Sequence, residues 1–177
     1  MTPSPPETTA TARTTAQHVL LFVGSLSYVG FVPFASGTVA VAVVGVPLYL
    51  LLALWLKIGV GAYIGFTVAF TAVSIYVADR TDRILNEKDS KKNVIDEIPG
   101  FLVAMIAVPC TWQLVAAAFF LERAIDIAKI WPANLIERRL PGGWGVVLDD
   151  IVAGLYTLAI LHAAVRFAPG WLVGLGS

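Results

Sequence analysis

Two uncharged stretches in the first half of the chain set the strongest limit on its fold. Residues 38–56 and 60–78 carry no acidic or basic side chain, and a short connector around Lys57 and Gly59 separates them. About 20 residues of helix cross the roughly 30 Å hydrocarbon layer of a bilayer. Each stretch is therefore predicted to be a transmembrane helix, and the short connector predicts that the two helices are antiparallel neighbours.

The composition agrees with a membrane protein. Of the 177 residues, 58% are hydrophobic and 14% are charged, which is more apolar surface than one soluble core of this size can hide. The formal net charge is zero, so no overall positive field attracts nucleic acid and we expect no such partner. The sequence predicts an all-α, polytopic membrane bundle, with residues 1–16 as a disordered tail and residues 17–177 as one membrane-embedded domain.

Three further apolar segments complete the predicted bundle. Residues 17–33 are interrupted by glycine and serine and end at Pro33, a pattern that favours an interfacial or re-entrant segment over a span. Residues 98–121 either turn at Pro109 as a shallow helical hairpin or cross the membrane once as a kinked helix. Residues 151–165 are predicted to form a final apolar helix.

Two charged regions, residues 79–93 and 122–150, lie on either side of residues 98–121. Their side chains require water or the headgroup layer. Both regions contain Lys and Arg, so the positive-inside rule places both in the cytoplasm. This placement favours the hairpin, because a single span would separate the two regions. We therefore expect a multi-pass protein of the cell membrane, with a site formed by polar loops and helix ends at its cytoplasmic face.

Two pairs of adjacent acids mark the borders between polar and apolar segments. They are Asp96–Glu97 and Asp149–Asp150. Adjacent carboxylates repel each other unless a cation compensates, and hard oxygen ligands of this kind suit Mg²⁺. Each pair taken alone is equally explained as acids at a helix N-terminus, where they complement the helix dipole.

A mixed series of charges lies between the two acidic pairs. Arg123, Asp126 and Lys129 recur every third residue, so they fall on one broad face of a helix. The two basic side chains are suited to bind phosphate oxygens. The same spacing also produces an ordinary ladder of ion pairs on a solvated helix.

These segments together resemble the phosphatidylglycerophosphatase A family. The resemblance is carried by SGTVA, KDSKKNVIDEIPG and LERAIDIAKIWPANLIERRLPGGWGVVLDDIVAGLY, which occur in the family's order. It implies a membrane enzyme of phospholipid biosynthesis that requires Mg²⁺ and hydrolyses the phosphate monoester of phosphatidylglycerophosphate to give phosphatidylglycerol. Two prolines usual in the family are Ser36 and Ile130 here. The positions that match its motifs are Gly37, Thr38, Asp89, Asp96, Glu97, Arg123, Asp126, Lys129, Gly142, Gly143, Gly145, Asp149 and Asp150.

Chemistry assigns a role to most of the matching positions. The predicted Mg²⁺ ligands, which would lower the pKa of an attacking water, are the two acidic pairs, Asp96, Glu97, Asp149 and Asp150. The predicted phosphate-binding residues are hydrogen-bond donors and glycines, namely Thr38, Arg123, Lys129, Gly142, Gly143 and Gly145. The predicted catalytic residues are Asp89, Asp96, Asp126 and Lys129.

Other functions stay open at this point. A phosphatase for another membrane lipid phosphate and a non-catalytic membrane scaffold fit the same features. A cation transporter is less favoured, because it requires acids in the middle of helices, whereas every acid here is expected in a loop or at a helix end. A cysteine nucleophile is disfavoured because the position six residues after Cys110 is Ala116 rather than arginine. The sequence specifies neither the number of metal ions nor an oligomeric state.

Overall fold

The fold is that of a computed structural model, which describes residues 14–27, 29–31, 35–85, 93–140, 142–168 and 170. Regular structure in these residues is helical, with no strand among them, so the predicted all-α class is confirmed there. A short 3₁₀ turn covers Val29–Phe31. The helices are α1 (Thr15–Gly24), α2 (Ser36–Trp55), α3 (Val60–Leu85), α4 (Glu97–Ala104), α5 (Trp112–Ala128), α6 (Ala133–Arg139) and α7 (Gly143–Phe167).

Three helices of the described part, α2, α3 and α7, are long and apolar enough to cross a membrane. The first two cover the uncharged stretches predicted to span to within about one residue, but α3 continues seven residues beyond its stretch, to Leu85, through charged residues such as Asp79 and Arg83. Both carry exposed apolar side chains, such as Val43 on α2 and Val68 on α3, as expected for surfaces in contact with lipid. Two segments of α2, Val41–Gly45 and Leu51–Trp55, are wound as wider π-helical turns.

The final helix, α7, begins earlier than the sequence predicted. It starts at Gly143 rather than at residue 151. A Cβ at Gly143 would meet the carbonyl oxygen of Ile75 and would lie 2.8 Å from the backbone nitrogen of Asp79. The glycine therefore lets α7 start directly against the backbone of α3, a tertiary contact that the residue pattern does not reveal.

The segment between the two charged regions is a helical hairpin. Helix α4 ends at Ala104, the chain turns, and α5 starts at Trp112. Glu97 at the start of α4 forms an ion pair with Arg123 near the end of α5. A single span of 24 residues would hold its ends about 36 Å apart. The hairpin is thus confirmed and the kinked single span is wrong, so the charged residues before and after the hairpin meet at one end of the bundle.

Helix α4 lies at the centre of the bundle, and its residues from Ile98 to Ala104 are all buried. Phe101 packs edge to face against Tyr49 of α2, with ring centroids 6.3 Å apart. The Tyr63 hydroxyl of α3 donates a hydrogen bond of 2.8 Å to the Leu102 carbonyl oxygen. Helix α7 packs closely against α4 at Gly154, where a Cβ would lie 3.1 Å from the Cα of Gly100.

Helix α1 is too short to span. Its 10 residues cover about 15 Å. Thr14 caps its N-terminus by accepting from the Gln17 backbone, and the Gln17 side chain accepts from the Thr14 backbone in return. The helix ends at Gly24, whose carbonyl oxygen accepts from the nitrogens of Val94 and Ile95 at 2.9 and 3.2 Å. The predicted tail overlaps this helix by two residues, and residues 1–13 lie outside the described part.

Candidate active site

A buried cluster of charges centres on Arg123, which is only 6% exposed. Its Nε and Nη2 atoms donate to the two carboxylate oxygens of Glu122 at 2.6 and 2.5 Å. Nη1 contacts Glu97 and lies 3.5 Å from Asp126 Oδ2, while Nη2 lies 3.4 Å from Asp150 Oδ1. One guanidinium group therefore contacts four carboxylates, brought to it by α4, α5 and α7.

Three of these acids form a compact group of possible metal ligands. Glu97, Asp126 and Asp150 each offer a carboxylate oxygen within 4.8 Å of the other two. Two ligands on opposite sides of one Mg²⁺ lie about 4.2 Å apart. The spacing is close to that value, and carboxylate oxygens are the donors that Mg²⁺ prefers. The acidic trio of Glu97, Asp126 and Asp150 therefore fits a hard divalent cation that keeps some of its waters.

Glycines allow the helices to bring these side chains together. A Cβ at Gly37, at the start of α2, would collide with the Glu97 carboxylate. A Cβ at Gly100 on α4 would lie 2.6 Å from the Asp150 carbonyl oxygen and 2.7 Å from Glu122 Oε1. Helices α2, α5 and α7 can approach the start of α4 because these positions carry no side chain. Thr38, which follows Gly37, is half-buried in the first turn of α2.

A second ion pair stands beside the cluster. Lys129 Nζ donates to Asp149 Oδ2. The Asp149 side chain is buried, whereas the Lys129 side chain is 40% exposed. Lys129 has a φ of 47° and caps the C-terminus of α5. This left-handed conformation, which is uncommon for lysine, ends α5 beside α7 and leaves a cation at the rim of the cluster.

The structure brings together acids that the sequence placed in separate segments, in a different arrangement from the predicted one. Glu97 and Asp150 belong to the trio as predicted ligands, and Asp126 joins them as a predicted catalytic residue. Asp149 instead faces Lys129. Asp96 is buried directly before α4 and is not in the trio. Asp89 lies outside the described residues.

The expectation that every acid lies in a loop or at a helix end is wrong. Asp149 and Asp150 are the seventh and eighth residues of α7, because that helix already begins at Gly143. Glu122 likewise lies inside α5, six residues before its end at Ala128. The carboxylates are held by helices on several sides, so their positions are set by helix packing rather than by loop conformation.

Two of the three predicted phosphate-binding glycines, Gly142 and Gly143, lie against α3. Gly142 has a φ of 59°, and a Cβ there would approach the Asp79 carboxylate. Gly143 and Gly145 belong to the first turn of α7 rather than to a loop. Gly143 precedes Asp150 by seven residues, or about 10 Å along the helix axis. The close contact with α3 explains why Gly142 and Gly143 lack side chains, and a role in phosphate binding stays a prediction.

Glu122 is the member of the cluster that the sequence analysis missed. Its side chain is fully buried, and both of its oxygens accept from Arg123. Burial, followed by the nearby charges of Asp126 and Asp149, raises the pKa of the Glu122 carboxyl above the ordinary value for glutamate. The forked hydrogen bonds from Arg123 oppose that effect by favouring the ionised form. The sequence signal that could have identified Glu122 was its position directly before Arg123.

The fold and the cluster define a class, a helical membrane protein with buried carboxylates gathered around an arginine at one end of its bundle. Comparison with known families identifies the particular group. The family model described as Phosphatidylglycerophosphatase A matches residues 22–165, and the chain belongs to that family.

Individual relatives agree with this assignment. Phosphatidylglycerophosphatase A of Escherichia coli is 35% identical over 91 residues, which cover 51% of this chain and 53% of the relative. The Haemophilus influenzae protein of the same name is 30% identical over 132 residues, 74% of this chain and 77% of that protein. A Bacteroides thetaiotaomicron protein named "Putative phosphatidylinositol-3-phosphatase" is 34% identical over 151 residues, 82% of this chain and 89% of its own. The chain thus spans about half the length of the Escherichia coli relative. No solved structure matches the chain.

Proposed function

We propose that this protein hydrolyses the phosphate monoester of phosphatidylglycerophosphate to phosphatidylglycerol and phosphate, in a Mg²⁺-dependent reaction at the membrane surface. The observation that carries the proposal is the meeting of Glu97, Asp126 and Asp150 around Arg123. Membership of the family supports it, as do the names of the Escherichia coli and Haemophilus influenzae relatives.

Exposed tryptophans support a site at headgroup depth. Trp131 and Trp144 are exposed and lie near the cluster in sequence, just after Lys129 and in the first turn of α7. Trp55 and Trp112 are exposed at the opposite ends of α2 and α5. Tryptophan is enriched at both membrane interfaces. A lipid phosphate lies at that level, and the basic residues of this end favour the cytoplasmic side.

The acidic trio would hold the metal ion. Bound Mg²⁺ would supply Lewis acidity at the phosphate and lower the pKa of a coordinated water. Arg123 compensates the mutual repulsion of Glu97, Asp126 and Asp150 and fixes their orientation. Asp96 and Asp149, the other predicted ligands, are each adjacent in sequence to a member of the trio.

The remaining polar groups would act on the phosphate and the attacking water. Among the described residues, Lys129 is a partly exposed cation at the rim of the cluster, so its ammonium is suited to meet a phosphate oxygen as negative charge redistributes. The hydroxyl of Thr38, which follows the glycine packed against Glu97, would donate to another phosphate oxygen. Asp126 would orient the attacking water, a role that Asp89 was also predicted to fill. The oxygen of that water would bond to phosphorus as the bond from phosphorus to the glycerol oxygen breaks, and a proton from the water would pass to the leaving oxygen, which gives phosphatidylglycerol and phosphate.

A second candidate substrate is the phosphate monoester of a phosphoinositide. The Bacteroides thetaiotaomicron relative, which aligns with 82% of this chain, bears the name of an enzyme for that substrate class. Both lipids present a phosphate monoester at headgroup depth, so the same carboxylates and basic groups would serve either. The headgroup beyond the phosphate would determine the preference.

The test is phosphate release by the purified protein in detergent. Phosphatidylglycerophosphate and phosphatidylinositol 3-phosphate would be supplied separately, with and without Mg²⁺. We expect the first lipid to be preferred, and Asp150→Asn and Asp126→Asn to lower turnover by about a thousandfold. Calorimetric titration should show Mg²⁺ binding to the wild type and a loss of that binding in Asp150→Asn.

Asp79→Asn is the matched control. It removes a partly exposed carboxylate that pairs with Arg83 outside the cluster, and its turnover should stay within about twofold. Normal turnover by Asp150→Asn would rule out the proposed role of the trio. Faster hydrolysis of the phosphoinositide would make the phosphoinositide, rather than phosphatidylglycerophosphate, the proposed substrate.

A further inference from the structure

Two apolar grooves run along the bundle. The first lies between α2 and α5 and has a volume of about 450 Å³. The second lies between α3 and α7 and has a volume of about 410 Å³. The two grooves are similar in size and chemistry. What distinguishes them is whether the walls of each groove lead to the charged cluster.

The α2 wall of the first groove leads to the start of that helix. Ala42, Val46, Leu50 and Leu54 line it at intervals of four residues. Residues four apart lie on the same face of a helix. Thr38 precedes Ala42 by the same interval, so the apolar stripe continues to this half-buried residue, whose neighbour Gly37 lies against the Glu97 carboxylate.

The α5 wall of the same groove leads to Arg123. Ala116, Phe119 and Phe120 line the groove, and Arg123 follows them after seven, four and three residues, which places it on the same helix face. Arg123 contacts Glu97, and Glu97 also lies against Gly37 at the start of α2. The α5 stripe therefore ends at a residue that contacts Glu97, and the α2 stripe ends next to one that does.

The second groove faces away from the acids of α7. Trp144, Leu148 and Ile151 form its α7 wall. Successive helix residues are turned by about 100°, so Asp149 and Asp150 point roughly 130° from the centre of that stripe, one to each side. This groove has no comparable path to the charged cluster, although its volume is nearly the same.

We propose that the α2–α5 groove holds an acyl chain of the lipid substrate while its phosphate lies at the polar end beside Thr38 and Arg123. This inference rests on the proposed function. The groove opens sideways at Trp112 and Phe120, which are 77% and 69% exposed, as a route from the bilayer requires. Thr38 and Leu54 are sixteen residues apart, or at most about 24 Å along the axis, which is more than the roughly 15 Å depth of one leaflet. An acyl chain whose phosphate lies at Thr38 would therefore fill the part of the groove nearest the cluster, along Ala42 and Val46.

The groove would contribute orientation rather than affinity, because lipid tails are as apolar as the groove itself. A bulky side chain in the groove should therefore impair hydrolysis of a long-chain substrate and leave a short-chain one unaffected. Ala42→Phe introduces this obstruction. Ala72→Phe is the matched control, because it makes the same change on α3 in the second groove.

The first measurement compares dioleoyl and dihexanoyl forms of the same phosphatidylglycerophosphate in one detergent. For Ala42→Phe we expect kcat/KM on the dioleoyl form to fall by about tenfold or more and kcat/KM on the dihexanoyl form to change by less than about twofold. Ala72→Phe should change neither. Equal effects of the two variants on the dioleoyl form would overturn the proposal.

The second measurement locates the chain without relying on turnover. A phosphatidylglycerophosphate that carries a photoreactive diazirine in one acyl chain is irradiated with the protein, and the labelled peptides are mapped. Adducts should form on α2 and α5, persist in Ala72→Phe and disappear in Ala42→Phe. Equal labelling of the α3–α7 groove would refute the inference. If the wild type hydrolyses neither lipid, the proposed function fails. The adduct map alone then shows whether the acyl chain lies in the α2–α5 groove.

Discussion

Replacing Gly154 with alanine tests whether the crossing of α4 and α7 holds the site together. A Cβ at this position would lie 3.0 and 3.1 Å from the carbonyl carbon and Cα of Gly100, and the Gly100 carbonyl oxygen is closer still. Both sides of the contact are backbone, so no side chain can rotate away. Restoring ordinary contact distances requires the two helices to separate by roughly 1 Å.

Two effects follow from that separation. Overpacking of this kind destabilises a protein by about 1–3 kcal/mol. The movement also shifts Glu97 on α4 relative to Asp150 on α7, two members of the acidic trio. A misplacement of about 1 Å can lower a rate by about a hundredfold. We therefore expect Gly154→Ala to lose both stability and most of its phosphatase activity.

The assay combines thermal unfolding in detergent with phosphate release. Gly61→Ala and Gly65→Ala on α3 are matched controls, because a Cβ at either position meets no described atom within 4 Å. These variants should keep full activity and gain up to about 1 kcal/mol of stability. If Gly154→Ala were as stable and as active as Gly65→Ala, the close α4–α7 crossing would not be what positions the trio.

Three further predictions address the charged cluster. Glu122→Gln keeps the shape but removes the charge that orients Arg123, so kcat should fall by about tenfold to a hundredfold; an unchanged kcat in steady-state assays would argue against this positioning role. Lys129→Met and Asp149→Asn remove one ion pair, and a double-mutant cycle from chemical unfolding should give a coupling of about 1 kcal/mol, whereas additive effects would mean that the pair contributes nothing. Mg²⁺ at a hundred times its Kd should stabilise the wild type by about 2.7 kcal/mol in thermal unfolding, with no such gain in Asp150→Asn; equal gains would place the ion elsewhere.

The spans were predictable because lipid imposes a simple rule on sequence. A stretch of about 20 residues without charge has few alternatives to a membrane helix, and α2 and α3 followed from that alone. The start of α7 did not, because Gly142 and Gly143 are typical of a turn when read in isolation. Their contact with α3 allows α7 to begin at Gly143, and this contact depends on the packing of residues more than sixty positions apart.

The sequence predicted which residues form the site better than it predicted which of them contact each other. Adjacent acids such as Asp149 and Asp150 look equivalent in sequence, yet on a helix they point about 100° apart. The rotation of α7 about its axis therefore turns Asp150 toward Arg123 and Asp149 toward Lys129. Glu122 was overlooked because its burial depends on helix packing, here the close approach of α4 at Gly100.

The charge balance of the cluster connects its architecture with its proposed chemistry. Glu97, Glu122, Asp126 and Asp150 supply four carboxylates to the single guanidinium of Arg123, which leaves a formal charge of −3 when all four are ionised. Buried charge that lacks a counter-charge is strongly unfavourable. Because helices rather than loops hold these acids, they cannot move apart, so the repulsion is relieved either by protonation, in line with the raised pKa of Glu122, or by a bound cation. A divalent cation at the trio would reduce the imbalance to −1, so the helix packing that concentrates the acids also creates the attraction for the metal that the proposed reaction needs.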